Sequence, residues 1–422
     1  MKILQVNKFF YRKGGAEVYF FELSNLLEEH GHEIIPFSME TSSIFETEFS
    51  DFFVSEIDIS KPALSISGIK GIGRIIYSFE AKKRIEELIV KTKPDICHIH
   101  NIYHHISPSI FSVLKKYNIP VVMTVHDYKL ICPNYKLFNK THICEKCFVH
   151  KYYQPFFQTC IKNSRLAGMV NGVEMSFHKI KKYYEKGVDV FISPSEFVKN
   201  KLVEWKQDKN KIKVIPHFIK LQDFIPNYSN ENYIVFIGRL SEEKGVDVLI
   251  NALKLVMPHI KLKIIGDGPM RQKLESQAKG LNIEFLGYKD KEELKTIVQK
   301  AKFLVIPSIW YEVFGLSLLE TFALGKPAIG SNLGAIPELI KENETGLLFD
   351  PGNEKDLALK IDSLYNNDSW VIEMGQKARE MVEKDYNEKK HYERIMEVYE
   401  EISNCQNPKK QIKSQVPNPK SH

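Results

Sequence analysis

Arg239 and Lys244 lie in the segment Ile237-Gly238-Arg239-Leu240-Ser241-Glu242-Glu243-Lys244-Gly245, which leaves an apolar run and enters a stretch of helical period. Phosphates commonly bind at such strand-to-helix junctions, where backbone N–H groups converge. Two cations fixed there could stabilise a departing diphosphate more than the ground state it leaves. Taken alone, the same pair could equally be a solvated basic turn. The segment from Pro307 to Glu320 has the same form, with Glu312 in the loop and Glu320 on the helix. Gly315 at the helix start lets backbone N–H groups approach a ligand, and the helix N-terminus favours an anion. Carboxylates beside an anion site suit hydroxyl-rich ligands, because they accept hydrogen bonds. Two glutamates so spaced are common by chance, and only their combination with Arg239 and Lys244 is informative.

Other candidates lie in the first half. Asn7 ends an apolar run and is followed by a loop whose Gly14 and Gly15 open a helix. Such a Gly-Gly pair is either a structural turn or a phosphate loop. The run Val121-Val125 delivers His126 and Asp127 to the carboxyl end of a strand, where open α/β folds place their sites. Ser195 is a weaker candidate, with an N-cap role as its alternative. Cys132, Cys144, Cys147 and Cys160 form a C-x11-C-x2-C-x12-C pattern beside His142 and His150. Four thiolates could hold a structural zinc and clip a short insertion with no core of its own. Reduced thiols and a redox or disulfide role are the alternatives.

The elements that must position these residues alternate. Strand patterns fall at Ile3-Val6, Ile34-Phe37, Ile96-Ile99, Val121-Val125, Val188-Ile192 and Ile212-Ile215, then at Tyr233-Ile237, Leu262-Ile265, Ile283-Leu286, Phe303-Ile306 and Ala328-Gly330. Helical segments such as Glu17-His30, Val246-Val256, Met270-Lys279 and Lys291-Ala301 separate them, which predicts two doubly wound, Rossmann-like α/β domains with parallel sheets facing a central cleft. The expected division is 1–216, with a Cys-rich insertion at about 128–165, and 217–388. Helices near Leu357-Tyr365 and Trp370-Lys384 come next, a helix at 389–405 is expected to return to the first domain, and 406–422 reads as a disordered tail.

The chain's 422 residues, 43% hydrophobic and 27% charged, describe an ordinary globular protein of two domains. No run approaches the roughly 18 apolar residues of a membrane span, and Met1-Lys2-Ile3-Leu4 leads into a polar loop rather than a signal core, so a cytoplasmic protein is expected. Six cysteines are too few for a disulfide scaffold. A net charge of +6 suits an anionic substrate or membrane surface and does not mark a nucleic-acid binder. Residues 61–93 carry eight Lys/Arg against three Glu, and Ile69-Ile89 mixes these with Ile72, Ile75, Ile76, Phe79 and Ile85. That stretch could be an interfacial amphipathic helix, touching the inner face of the cell membrane peripherally.

Taken together, the motifs resemble the group-one glycosyltransferases, family four of the retaining GT-B enzymes. The matching residues are G-R-L-x(3)-K-G at Gly238 to Gly245, I-I-G-D-G-P at Ile264 to Pro269, F-L-G-Y at Phe285 to Tyr288 and E-x7-E at Glu312 to Glu320. Gly325-Lys326-Pro327 and Pro337-Glu338 followed by Gly346-Leu347 complete a series covering nearly all of 233–352. The chain departs from the family at Ala335, where a second Gly is common, and at Lys220, where Asp is. The resemblance implies that Arg239 and Lys244 hold the donor diphosphate, Glu312 the transferred sugar and Glu320 the ribose. Phe314, Gly315 and Leu316 would add backbone N–H contacts and Tyr288 would border the base. Gly14 and Gly15 would close over the diphosphate from the opposite wall, and His126 would touch the sugar. It also implies a retaining transfer of a hexose from a nucleoside-diphosphate sugar, with UDP as the expected nucleotide. The acceptor would be a glycan or lipid-linked molecule in cell-surface polysaccharide synthesis. No cofactor is required for that chemistry and no Asp-x-Asp metal site is expected. A nucleotide-sugar epimerase of the same fold and an inactive nucleotide-sugar-binding subunit are the alternatives.

Overall fold

A computed structural model describes residues 1–57, 66–256 and 260–406. The first half contains β1 (Lys2–Val6), β2 (Glu33–Phe37), β3 (Ile96–Ile99), β4 (Val121–Thr124), the short hairpin β5 (Phe138–Asn139) and β6 (His142–Ile143), β7 (Val190–Ser193) and β8 (Ile212–Val214). The second contains β9 (Tyr233–Ile237), β10 (Lys261–Ile265), β11 (Ile283–Gly287), β12 (Leu304–Ile306), β13 (Ala328–Ser331) and β14 (Gly346–Phe349).

Two six-stranded sheets result, in the orders β2-β1-β3-β4-β7-β8 and β11-β10-β9-β12-β13-β14, with every strand pairing in them parallel among the described residues. Parallel strands are covered on both faces, which explains why they read as near-continuous Ile and Val runs. Pro36 lacks an N–H and sits in β2, at the edge of its sheet, where no ladder bond is lost. In each sheet the strand order reverses beside the first strand of that half, between β1 and β3 and between β9 and β12. Crevices at such reversals, outside the carboxyl ends of the strands, are where these sheets bind ligands. Both donor motifs follow strands that flank the second reversal.

The last helix, Glu388–Gln406, packs on the first sheet: Ile395, Val398, Tyr399 and Ile402 share a core with Ile3, Leu23 and Val122. Its Tyr399 hydroxyl bonds His98 Nδ1 at 2.6 Å, and His391 Nε2 meets the Tyr19 hydroxyl at 3.0 Å. From residue 407 on, the segment expected to be a tail lies outside the described residues.

The stretch expected to form one interfacial helix is two, Ile66–Ile76 and Phe79–Thr92. The chain breaks at Ser78, whose hydroxyl caps the second helix by accepting from Ala81 N at 3.1 Å. Ile75, Ile85, Leu88 and Ile89 are buried in the protein core, whereas Phe79 is 76% exposed.

Candidate functional site

Gly245 brings the two donor motifs into contact. Its φ is +65°, and a Cβ there would lie 2.0 Å from the Pro307 carbonyl oxygen. Only glycine allows the β9 loop to cross the β12 loop so closely. Gly334 (φ +64°) plays the same part from the β13 side, where a Cβ would lie 2.6 Å from Glu312 N. Ala335 N then donates to the Glu312 carbonyl at 3.0 Å, so Ala335, where the family commonly has Gly, still holds the loop by its backbone. Lys220, the other departure, is ion-paired to Glu29 at 2.7 Å.

These crossings set Lys244 Nζ 2.7 Å from Glu312 Oε1, which also accepts from Ser308 Oγ at 2.6 Å. Burial alone would raise the Glu312 carboxyl, but the Lys244 charge and hydrogen bond outweigh it and hold the pKa below its ordinary value. Glu312 is therefore an ionised, buried acceptor. Arg239 is exposed on the same β9 loop and makes no ion pair among the described residues. Its guanidinium is available to an anion.

Gly315 has φ +111° and starts the helix Leu316–Ala323 without a side-chain cap, leaving N–H groups of the first turn for a ligand. Glu320, one turn on, is half-buried in a shallow recess with Ile237, Leu294, Lys291 and Lys295. Burial raises its carboxyl to about 7, against the pull of both lysines. Tyr288 follows β11 and is 83% exposed, packed against nothing that would fix it.

The opposite wall is close. A Cβ on Gly15 would stand 3.4 Å from Leu316 Cδ1, so the start of the first helix, Gly15–Glu29, abuts the Gly315 loop. Gly14 is the N-cap of that helix, with extended backbone and no side-chain cap bond. His126 follows β4, with its Nε2 2.9 Å from His100 Nδ1, while His100 Nε2 lies 2.8 Å from Gln5 Oε1. Burial lowers the His126 pKa to about 3, so the ring is neutral at ordinary pH. Its ring centroid is 5.5 Å from that of His217, which in turn is 5.0 Å from Phe314. Ser195 does cap the helix Glu196–Glu204, accepting from Val198 N at 3.3 Å, and also donates to the Val313 carbonyl at 2.9 Å.

The four cysteines expected to hold zinc lie near one another, the charge of Cys144 bearing on Cys132, Cys147 and Cys160. Among the described residues no group of three or more His, Cys, Asp or Glu is placed to hold a metal ion, and all four are free thiols. The insertion has other anchors. The Cys132 thiol donates to Asn134 Oδ1 at 2.9 Å, Asn134 Nδ2 donates to the Phe138 carbonyl at 2.7 Å, and Leu137, Cys147 and Tyr152 join the core of the first half. Burial, with the neighbouring cysteines adding to it, pushes the Cys132 thiol up to about 12 and the Cys160 thiol up to about 11.

Sequence reasoning missed Glu338, His217 and His100 as members of this neighbourhood. Glu338 Oε2 and Oε1 accept from Glu196 N at 2.9 Å and Phe197 N at 2.6 Å, joining the two halves. Glu338 had appeared only as part of a motif, and no local pattern marks a carboxylate that caps a helix 140 residues away. His217 lies at the expected division between the halves, and His100 immediately follows β3 at the reversal in the first sheet, the one signal that could have found it.

Residues 13–223 match the model of a family described as Glycosyltransferase Family 4, and residues 218–403 match that of Glycosyl transferases group 1. The chain is 26% identical to an uncharacterized glycosyltransferase of Methanocaldococcus jannaschii over 407 residues, 96% of this chain and 99% of that one. Sucrose-phosphate synthase from Thermosynechococcus elongatus superposes with a TM-score of 0.70 at 20% identity, covering 96% of this chain and 99% of that one. HepE of Anabaena, solved with UDP and glucose, superposes at 0.66 with 15% identity, covering 95% of this chain and 100% of that one. At these identities the two structures establish the shared two-domain fold.

Proposed function

The chain belongs to the family 4, group 1 glycosyltransferases of the GT-B fold, and from that premise we propose a retaining hexosyltransferase that uses a nucleoside-diphosphate sugar, UDP being the expected nucleotide. The observation that carries this reading is the Lys244–Glu312 pair, 2.7 Å apart at the strand reversal, with Gly15 across the gap from Leu316. A cation beside an ionised acceptor, on the loop that leads into a helix N-terminus, supports a site for a charged, hydroxyl-rich donor there.

In the proposed reaction Arg239 and Lys244 take the charge that grows on the diphosphate as the bond from the sugar C1 to the phosphate oxygen breaks. The first-turn N–H groups after Gly315 receive the same phosphates. Glu312 accepts hydrogen bonds from sugar hydroxyls and Glu320 from the ribose. His126, neutral and fixed by His100, orients the sugar and does not act as a base. The acceptor oxygen then bonds to C1 on the face the diphosphate leaves, and its proton passes to the departing phosphate oxygen, so configuration is retained. Tyr288 borders the base. The acceptor is a glycan or lipid-linked molecule of a cell-surface polysaccharide, met from the side of the first domain.

A thermal-shift screen against UDP-, GDP- and ADP-sugars tests the donor, since a ligand bound only by the folded state raises apparent stability by about 2.7 kcal/mol at 100 times its Kd. NMR of the anomeric configuration of the transferred sugar tests retention. An inverted product, or no stabilisation by any nucleotide sugar, would overturn the reading.

A further inference from the structure

The helix Arg165–Lys181 is amphipathic the wrong way round. Its inward side is lined by Gly168, Gly172, Glu174, Met175 and His178. A Cβ at Gly168 would lie 2.3 Å from the Pro155 carbonyl oxygen, and one at Gly172 equally close to that of Tyr152, so the inner side is a close backbone contact with the preceding short helix, Gln154–Gln158. The outward side is apolar: Leu166, Met169, Val173 and Ile180 recur at i, i+3, i+7 and i+14, all exposed, Ile180 to 77%. At 3.6 residues per turn these positions share one stripe. Phe157, 67% exposed, and Phe156 extend it from the neighbouring helix. Scattered exposed apolar residues are normal on a soluble protein, but a contiguous stripe of this kind marks a contact surface.

The charge around the stripe identifies the partner. Residues 135–186 contain ten Lys/Arg and three Glu. All three glutamates are ion-paired: Glu145 to Lys201, Glu174 to Lys129 and Glu185 to Lys179. Lys151, Lys162, Arg165, Lys181 and Lys182 are exposed and make no ion pair among the described residues. A second copy of the chain seated on this stripe would bring like charge against like charge. An anionic lipid surface meets both demands, taking the apolar stripe into the acyl boundary and the basic rim at the headgroups.

We propose that the outward faces of Gln154–Gln158 and Arg165–Lys181 dock the protein on an anionic bilayer surface. This contact is independent of donor chemistry, and the helix Ile66–Ile76 of the basic stretch lies beside it, the Ile76 carbonyl meeting His178 Nε2 at 2.7 Å. Co-sedimentation of the full-length protein with phosphatidylglycerol/phosphatidylethanolamine vesicles, against pure phosphatidylcholine vesicles, tests it. The expected result is binding to the anionic vesicles that weakens by about tenfold or more in Met169→Asp/Val173→Asp, since the apolar insertion would be lost and two negative charges would face the anionic surface. Lys162→Glu/Lys181→Glu, which leaves the stripe intact, should weaken it too. Stabilisation by the nucleotide-sugar donor should be the same in all variants, so a failure here is separable from a failure of the proposed reaction. Wild-type protein that stays in the supernatant, or variants that sediment as it does, would overturn the proposal. So would a dimer in analytical ultracentrifugation that either pair of substitutions dissociates.

Discussion

Lys244 Nζ stands 2.7 Å from the Oε1 of Glu312, and the carboxylate is the more deeply buried of the two. Removing the lysine therefore strands a buried charge, whereas neutralising the glutamate leaves a lysine that still reaches solvent. Lys244→Ala should lose roughly 3 kcal/mol of stability and Glu312→Gln much less, while both lower kcat by about 10²-fold or more. The folded-state pKa of Glu312 is depressed, so its contribution is present above the unfolded value and disappears as pH falls through the folded one. The stability gap between wild type and Lys244→Ala should accordingly narrow as pH is lowered from 7 toward 3. Chemical denaturation at a series of pH values measures it, and a pH-independent gap would dissociate the pair from stability.

Glu320 has the opposite shift. Burial lifts it to about 7, so it is largely neutral at pH 6 and largely ionised at pH 8. Only the ionised carboxylate accepts with both oxygens. The donor KM should fall by several-fold, up to about tenfold, between pH 6 and 8, and Glu320→Gln should flatten that dependence. The same raised pKa makes the donor-free fold less stable as pH rises from the unfolded value through 7. A wild-type donor KM that does not change over this range would remove Glu320 from the ribose contact.

Gly15 has room for no more than a small side chain, since its Cβ would already lie 3.4 Å from Leu316 Cδ1. Gly15→Val should push the two walls apart and raise the donor KM by about tenfold, a coupling of some 1–2 kcal/mol. Trimming the facing side chain should restore it, so the Gly15→Val/Leu316→Ala double variant is expected to bind donor better than Gly15→Val alone. Additive effects would mean that the two residues do not meet when donor is bound.

The second half was more legible than the first, for a physical reason. Its donor loops are held by backbone contacts that need glycine at Gly245, Gly315 and Gly334, and such requirements leave motifs in sequence. Strand runs were readable because parallel strands are buried on both faces, and β9 falls at Tyr233–Ile237 as expected. β14 escaped notice because Gly346-Leu347-Leu348-Phe349 is short and lacks β-branched residues. In the basic stretch at 61–93 composition does not say which way each apolar residue points: Ile75 and Ile85 point inward and Phe79 outward. The cysteine spacing fits a tetrathiolate, but spacing does not show that Asn134 and the hairpin also anchor the insertion. The links between halves, such as Glu338 with Phe197, are side chain to backbone across 141 positions and leave no local signature.

Glu338 supplies what the helix Glu196–Glu204 lacks at its start. Three of the first N–H groups of that helix find partners in Glu338 and Ser195: Glu196 and Phe197 donate to the Glu338 carboxylate, and Val198 donates to Ser195 Oγ. A carboxylate at a helix N-terminus also interacts favourably with the helix dipole. Because it comes from the second half, this cap contributes only while the halves stay together. Ser195 Oγ, donating to the Val313 carbonyl at 2.9 Å, ties the same helix to the loop that carries Glu312. Glu338→Ala should cost about 1–2 kcal/mol and favour an open arrangement, seen as a larger radius of gyration by small-angle scattering. Saturating donor should reverse the expansion, because its binding spans both walls. Ser195→Ala should act in the same direction but less, since it loses one cap bond and one cross-link rather than two charge-assisted bonds. An unchanged radius of gyration in Glu338→Ala, with stability lowered as expected, would mean that the cap supports the helix alone and that other contacts hold the cleft closed.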